Sequence, residues 1–264
     1  MNAVDYRGQT TLITGASSGI GAEFARRLAG RGSDVVLVAR RRERLEKLAA
    51  ELASDHGVRA EAVPLDLSLP GAGRALAEDT ERRGLMVTSV VNNAGFGTSG
   101  PFHEEDPERL REEIQVDVAS LVDISRAFIG PLRASGNGVL VNVASMAAYL
   151  PVPGMAVYAA TKAFVLHFTE ALWYESRGTG LRVLALSPGA TETEFFDAVG
   201  TEVAGAGSRQ SPQEVVTETL RVLDRRTPPP SAVSGRRNRV MASATRLMSR
   251  RRGVLTMGSM TSSS

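Results

Sequence analysis

The sequence predicts a doubly wound α/β fold, in which helices cover both faces of a parallel sheet. Six short apolar runs, rich in valine and leucine, alternate with segments whose apolar residues recur at helical spacing. Strands that are buried on both faces have continuous apolar sequences, as these runs do. A chain of 264 residues is long enough to bury such a sheet in one domain.

Each strand is predicted from an apolar run bounded by polar residues, glycine or proline. The runs are 10–14, 34–39, 60–65, 86–92, 138–143 and 181–187. Helices are predicted directly after the glycines that follow the first run, at 41–55, at 70–83, from 107 to about 133, and around residues 158–162. Asp106 before Pro107 is typical of a helix start.

Charge divides the chain into a body and a tail. Residues 1–234 contain no linker or internal repeat, and we predict a single domain there. Residues 235–264 contain seven arginines and no acid; since the whole chain has a net charge of +2, the body carries −5. An acidic body argues against nucleic acid as a partner. We expect a loosely ordered basic tail, with peripheral contact to anionic lipid as the less favoured alternative.

Several classes of protein are excluded by composition. The chain has no cysteine, which rules out disulfides, thiol catalysis and cysteine-ligated zinc, and its three histidines lack metal-ligand spacing. No signal peptide or run of eighteen apolar residues is present, so we predict a cytoplasmic protein. Ser145 lies in V-A-S-M-A and not in G-x-S-x-G, which argues against a serine hydrolase.

A glycine-rich segment joins the first strand to the first helix. Gly15, Gly19 and Gly21 permit a tight turn and let the backbone approach a pyrophosphate, while the helix start supplies amide donors. An acidic residue at the end of the second strand usually binds the ribose of NAD, but this strand is followed by Arg40 and Arg41. Guanidinium groups suit a phosphate, so we predict NADP, with NAD as the alternative.

Tyr158 and Lys162 are four residues apart on a predicted helix and therefore share one face. The lysine charge favours the phenolate, so the tyrosine pKa is expected to fall towards the working range of an acid/base catalyst. Ser145 follows the fifth apolar run and can hydrogen-bond the oxygen of a carbonyl or alcohol. The three residues together predict proton transfer to or from an oxygen.

These residues resemble the short-chain dehydrogenase/reductase family, and the resemblance covers about residues 8–195. The matching segments are T-G-A-S-S-G-I-G (14–21), D-L (66–67), N-N-A-G (92–95), the serine with the Y-x-x-x-K pair, and P-G-A-T-E-T (188–193). The resemblance implies a Rossmann-like sheet of about seven strands, with residues 231–235 as the candidate for the seventh. A homodimer or homotetramer is implied as well. It also implies hydride exchange between a nicotinamide cofactor and a carbonyl or alcohol of a small molecule.

The resemblance also implies roles for individual residues. Tyr158 would exchange the proton, Lys162 would lower the tyrosine pKa and hold the nicotinamide ribose, and Ser145 would orient the substrate oxygen. The cofactor-binding residues, the two arginines included, are predicted to be Gly15, Ser17, Ser18, Gly19, Ile20, Gly21, Arg40, Arg41, Asp66, Leu67, Asn93, Ala94, Gly95, Tyr158, Lys162, Pro188, Gly189, Thr191 and Thr193.

One position departs from the family pattern. The family usually has an asparagine where this chain has Asp117, and that asparagine helps to hold a water relay behind the lysine. An ionised Asp117 near Lys162 would partly cancel the charge that the lysine presents to Tyr158. This change is the one feature that favours the alternative function, an NADPH-binding sensor with little turnover.

The substrate is predicted to be an apolar ketone, aldehyde or secondary alcohol. Candidate pocket residues are Phe96, Met146, Tyr149, Val152, Phe195 and Phe196. Residues 197–211 are small and polar, which is typical of a mobile cover over a pocket.

Overall fold

The computed structural model describes residues 4–195, 209–245 and 247–261. The strands are β1 Thr10–Thr14, β2 Asp34–Ala39, β3 Ala60–Pro64, β4 Ser89–Asn92, β5 Val139–Val143, β6 Arg182–Ser187 and β7 Ser231–Val233. They form one sheet in the order β3-β2-β1-β4-β5-β6-β7, and every pair of neighbours is parallel. The predicted parallel sheet of seven strands is confirmed.

Helices pack on both faces of the sheet. They are α1 Gly19–Ala29, α2 Arg42–His56, α3 Ala72–Arg82, α4 Pro107–Ile114, α5 Leu121–Ser135, α6 Ala156–Glu175, α7 Pro212–Leu223, α8 Arg236–Thr245 and α9 Arg250–Thr261. Successive residues of a strand point to opposite faces, so Ile13 packs with Phe24 of α1 in one core layer, whereas Leu12 packs with Leu76 of α3 in the other. The sheet therefore lies between two apolar layers.

The strand order places the functional end of the sheet. It reverses between β1 and β4, which are direct neighbours in the centre. In open α/β sheets the crevice at the carboxyl ends of such strands is the usual ligand site. The residues at these ends are Thr14 of β1 and Asn92 of β4.

The long helix predicted from residue 107 to about 133 is interrupted by a π-helical turn at Gln115–Ser120, between α4 and α5. Widened turns of this kind are frequent at functional sites, because the extra residue redirects a side chain. Asp117 lies in this turn and is fully buried. Hydrophobic spacing predicts the helix but not the widened turn.

The tail differs from our expectation of a loosely ordered segment, since α8 and α9 are helical and contact the body. A β-carbon at Gly253 of α9 would lie 2.7 Å from Cδ2 of Leu150, so helix and body are in close contact there. Met257 packs against the apolar cluster that contains Tyr158 and Val152. Both of these contacts come from residues that follow Arg252, the last arginine of the tail. Among the described residues, no helix is long and apolar enough to cross a membrane.

Candidate active site

The glycines after β1 have the backbone geometry that a dinucleotide loop needs. Gly15 and Gly19 have φ angles of +65° and +55°, which favour glycine. A β-carbon at Gly21 would lie 2.3 Å from the carbonyl oxygen of Gly15, so any side chain at this position would clash with the backbone of the loop. Ser18 precedes the first turn of α1, whose amide groups face the loop. The loop therefore fits a pyrophosphate group.

Thr14 ties this loop to the end of the neighbouring strand β4. Its Oγ1 accepts hydrogen bonds from the amides of Asn93 and Ala94, both at 2.9 Å. The Asn93 side chain returns a bond to the Thr14 carbonyl oxygen at 3.1 Å. Two predicted cofactor segments are thus held side by side across the switch in strand order.

Arg41 lies over the glycine-rich loop. Its Nη2 donates to the hydroxyls of Ser17 and Ser18 at 2.9 and 2.8 Å. Arg40 is exposed beside it at the edge of the cleft, and its charge is close enough to help lower the pKa of Asp66. Burial acts to raise the pKa of Asp66, but hydrogen bonds from Ser68 and the charge of Arg40 outweigh it, so the pKa lies below its ordinary value.

A single cleft of about 840 Å³ contains every predicted catalytic and cofactor residue except Asp117 and Gly21. Thr193 lies close against the glycine-rich loop, because a β-carbon at Gly19 would be only 2.9 Å from its methyl group. Thr191 is held by a hydrogen bond from its Oγ1 to the Gly189 carbonyl at 3.0 Å. The segment predicted to hold the nicotinamide thus crosses in front of the glycine-rich loop.

The predicted catalytic side chains meet at the floor of this cleft. Tyr158 and Lys162 are both buried on α6, with the lysine Nζ 5.6 Å from the centre of the tyrosine ring. Ser145 ends the segment after β5, where its Oγ accepts a hydrogen bond from the Ala147 amide at 3.1 Å. The structure brings together the three residues that the motif predicts.

The tyrosine pKa differs from the sequence-based expectation. Burial raises the pKa of Tyr158 above its ordinary value, whereas the Lys162 charge and a hydrogen bond with Ser145 lower it. The carboxyl groups of Asp117 and Glu113 raise it again. In the protein alone the raising effects prevail, because the lysine charge acts against two buried acids as well as burial.

Lys162 and Asp117 form a buried ion pair, with Nζ 3.0 Å from Oδ2. The Asp117 carboxylate also accepts hydrogen bonds from the Phe96 amide at 3.1 Å and from Thr161 Oγ1 at 3.3 Å. Burial alone would lower the pKa of Lys162, but the carboxylate raises it above its ordinary value. Burial raises the pKa of Asp117, and the lysine opposes that effect. The hypothesis that Asp117 neighbours the lysine agrees with this geometry.

A second acid, Glu113, lies near this pair and is not among the residues predicted from the sequence. It is fully buried, and its Oε2 accepts a hydrogen bond from the Thr98 amide at 3.0 Å. Its Oε1 is buried and has no hydrogen-bond partner among the described residues. Burial, with smaller effects of Asp117 and Glu105, raises the pKa of Glu113 to about 7. Its position four residues before Asp117 was the available signal.

Between about pH 4.5 and 7, Glu113→Gln should remove a contribution that lowers the free energy of unfolding as the pH rises. The folded chain binds the Glu113 proton more tightly than the unfolded chain, so stability falls as pH rises through this interval, by at most about 1.4 kcal/mol per unit. Urea unfolding from pH 5 to 7.5 measures the slope. Glu112→Gln, an exposed neighbour on α4, is the control. An unchanged slope in Glu113→Gln would show that the group titrates normally.

The part of the cleft in front of Tyr158 is largely apolar. Phe195 packs with the tyrosine at 5.2 Å between ring centres, and the tail contributes Met241, Thr245 and Met257. Of the predicted pocket residues, Phe96, Met146, Tyr149, Val152 and Phe195 line the cleft, while Phe196 and residues 197–208 lie outside the described residues. In the described part of the chain, no group of three acidic or histidine side chains could hold a metal ion.

Comparisons with known proteins agree with this geometry. A family model described as short chain dehydrogenase matches residues 9–204. Sulfoacetaldehyde reductase 2 of Chromohalobacter salexigens is 38% identical over 186 residues, which cover 70% of this chain and 73% of that protein. A solved structure of 7beta-hydroxysteroid dehydrogenase superposes with a TM-score of 0.85 at 28% identity, over 98% of this chain and 100% of that chain. A short-chain dehydrogenase from Sphingobium yanoikuyae in complex with NADPH has a TM-score of 0.78 at 35% identity, over 91% and 95% of the two chains.

Proposed function

Because this chain belongs to the short-chain dehydrogenase/reductase family of oxidoreductases, we propose that it exchanges a hydride between NADP(H) and the carbonyl or secondary alcohol of an apolar small molecule. The observation that carries this proposal is the placement of Tyr158 and Lys162 at the floor of the same cleft that holds the glycine-rich loop. Hydride exchange with a carbonyl or alcohol needs both a proton donor or acceptor and a bound dinucleotide, and this cleft has residues for each.

The proton exchange is assigned to residues of the chain, and the hydride exchange to the cofactor. A bound nicotinamide cofactor supplies or accepts the hydride. In the direction of reduction, Tyr158 donates the proton to the substrate oxygen, and Ser145 holds that oxygen by a hydrogen bond. Lys162 stabilises the phenolate that remains, and Asp117 keeps the lysine protonated. In the direction of oxidation, the Tyr158 phenolate accepts the proton from the substrate hydroxyl, and the other residues keep their roles.

NADP is the cofactor that the arginines at the edge of the cleft favour. Arg41 is already oriented over the hydroxyls of Ser17 and Ser18, and these groups together offer several donors to a 2′-phosphate. One solved relative is described as a complex with NADPH, and another, a 3-ketoacyl-(acyl-carrier-protein) reductase from Brucella melitensis, as a complex with NADH. NAD therefore stays as the alternative.

Replacing Arg40 and Arg41 together with alanine should lower the preference for NADPH over NADH at least tenfold. Each hydrogen bond between a charged group and a phosphate contributes about 1.5–3 kcal/mol, and NADH lacks that phosphate. The dissociation constants of both cofactors measure the preference. Arg42→Ala is the matched control, since its guanidinium pairs with Glu46. A double variant that keeps the wild-type preference would place the phosphate elsewhere.

The substrate class follows from the side chains around Tyr158. Phe195, Val152, Met155 and Met257 form a mainly apolar surface against the tyrosine. A panel of apolar ketones and aldehydes, together with small charged aldehydes for comparison, should therefore be assayed by the oxidation of NADPH. Turnover with apolar compounds supports the proposal. NADPH binding without turnover on any carbonyl would favour the alternative, a sensor of the cofactor.

We further propose that the chain acts in the cytoplasm as a homodimer or homotetramer. Large apolar side chains on its long helices support this assembly: Ile114, at the end of α4, and Phe164 and Tyr174 of α6 are exposed. Phe164 also stacks on Phe168, with ring centres 5.7 Å apart, which forms an aromatic face on α6. Light scattering of the purified protein reports the assembly directly.

A further inference from the structure

An acidic side chain lies at the arginines that we assign to the 2′-phosphate. Glu194 follows the Thr191–Thr193 segment, and both of its carboxylate oxygens are used. Oε2 is 2.6 Å from Nη1 of Arg41, and Oε1 is 2.5 Å from Nη1 of Arg44. The carboxylate thus bridges two guanidinium groups near the start of α2.

One of the two guanidinium groups that bind Glu194 is that of Arg41, which also lies over the glycine-rich loop. Arg41 uses Nη1 for Glu194 and Nη2 for the hydroxyls of Ser17 and Ser18. A phosphate monoester and a carboxylate seek the same charged N–H donors. A 2′-phosphate that binds at Arg41 must therefore either displace Glu194 or lie beside its negative charge.

We propose that Glu194 is a specificity-determining residue, which competes with the cofactor's 2′-phosphate for Arg41 and Arg44 and so weakens NADP(H) relative to NAD(H). This inference rests on the proposed function, because it needs a dinucleotide in the cleft. The competition is specific to the phosphate, since NAD(H) has a hydroxyl at that position and does not need the arginines.

The charge on Glu194 is present under all ordinary assay conditions. Hydrogen bonds from Arg44 and Arg41 lower the pKa of Glu194 to about 2, so the carboxylate is ionised above about pH 4. The competition should therefore be independent of pH between about 7.5 and 9, where the 2′-phosphate, with a second pKa of about 6, is fully ionised as well. It should weaken with salt, because both ion pairs are partly exposed to solvent.

The test compares Glu194→Gln with Glu192→Gln in the full-length protein. Glutamine keeps the shape of the side chain and removes its charge. Glu192 is two residues away and exposed, so its variant controls for a general loss of negative charge near the cleft. Dissociation constants for NADPH and NADH are measured at 50 mM and 500 mM salt. Adenosine 2′,5′-bisphosphate and adenosine 5′-monophosphate serve as probes that isolate the 2′-phosphate from the nicotinamide.

We expect Glu194→Gln to bind NADPH and the bisphosphate about three- to tenfold more tightly at low salt, as removal of partly exposed ion pairs allows. NADH and the monophosphate should change less than twofold, and Glu192→Gln should match the wild type. Unchanged or weaker NADPH binding by Glu194→Gln would overturn the inference, since Glu194 would then only position the arginines. Glu194→Ala repeats the test if glutamine keeps a hydrogen bond to Arg41.

The same measurements separate this inference from the proposed function. If the wild type binds neither NADPH nor NADH, the proposed function fails, and with it the basis of the competition. If the wild type binds and oxidises NADPH but Glu194→Gln shows no gain in affinity, the function stands and the role of Glu194 is rejected. A gain for NADPH and NADH alike also rejects that role, because the effect would not involve the 2′-phosphate.

Discussion

Tyr158→Phe should abolish turnover while leaving the binding of NADPH nearly unchanged. The substitution removes the hydroxyl that exchanges the proton with the substrate oxygen but keeps the ring that packs against Phe195. General acid/base catalysis contributes about 10²- to 10⁴-fold to a rate, so kcat should fall by at least a hundredfold. Steady-state oxidation of NADPH with a reactive apolar ketone measures the rate, and fluorescence titration measures cofactor binding.

Tyr174→Phe is the matched control for this experiment. Tyr174 lies on the same helix, α6, but its side chain is exposed to solvent. Its variant should retain the wild-type kcat. Wild-type turnover in Tyr158→Phe would refute the proposed mechanism, whereas loss of both turnover and NADPH binding would indicate a collapsed cleft.

Lys162→Met should lower the free energy of unfolding by about 3–5 kcal/mol in addition to stopping turnover. Methionine keeps much of the side-chain volume, but it leaves the fully buried Asp117 carboxylate without a cation. Removal of one partner from a buried ion pair has an effect of this size, because the other charge stays buried and unpaired. Urea unfolding at pH 7 measures the difference.

The double variant Lys162→Met/Asp117→Asn tests the cause of that loss. It should recover at least half of the lost stability, since the unpaired charge is gone. If Lys162→Met is as stable as the wild type, the ion pair does not balance the buried carboxylate.

Asp117→Asn alone reports on catalysis. Without the carboxylate, the pKa of Tyr158 should fall, and the pH–rate profile should shift towards acid. An unshifted profile in Asp117→Asn would mean that the carboxylate has no effect on the proton exchange.

The fold was predictable from the sequence because its strands are buried on both faces. The apolar runs at 10–14 and 34–39 correspond to β1 and β2 residue for residue. The run at 86–92 was too long by three residues, because Met86 is apolar but exposed and β4 begins at Ser89. A hydrophobic pattern reports burial, and it cannot distinguish a strand from a partly buried connection such as the one that contains Val87.

The site was predictable where local motifs determine it and not where distant residues meet. Tyr158 and Lys162 follow from their spacing on a helix, and the structure gathers them as expected. Glu113 and Glu194 carry no motif, and they acquire their roles only through burial or through partners far away in sequence. Glu194 is separated from Arg41 by 153 residues. Similarly, the arginine content of the tail does not reveal that Met257 packs beside Tyr158.

The tail lines part of the cleft but contributes none of the residues assigned to the chemistry. The family match ends at residue 204, and every residue assigned to proton or hydride transfer lies before that point. Met241, Thr245 and Met257 line the cleft from beyond it. Substitutions in these last helices can therefore alter the shape that a substrate must have without altering the reaction. Exchange of residues 236–261 between related enzymes should shift substrate preference with the catalytic apparatus left in place, while Val152, Met155 and Phe195 of the body keep their own share of the cleft surface.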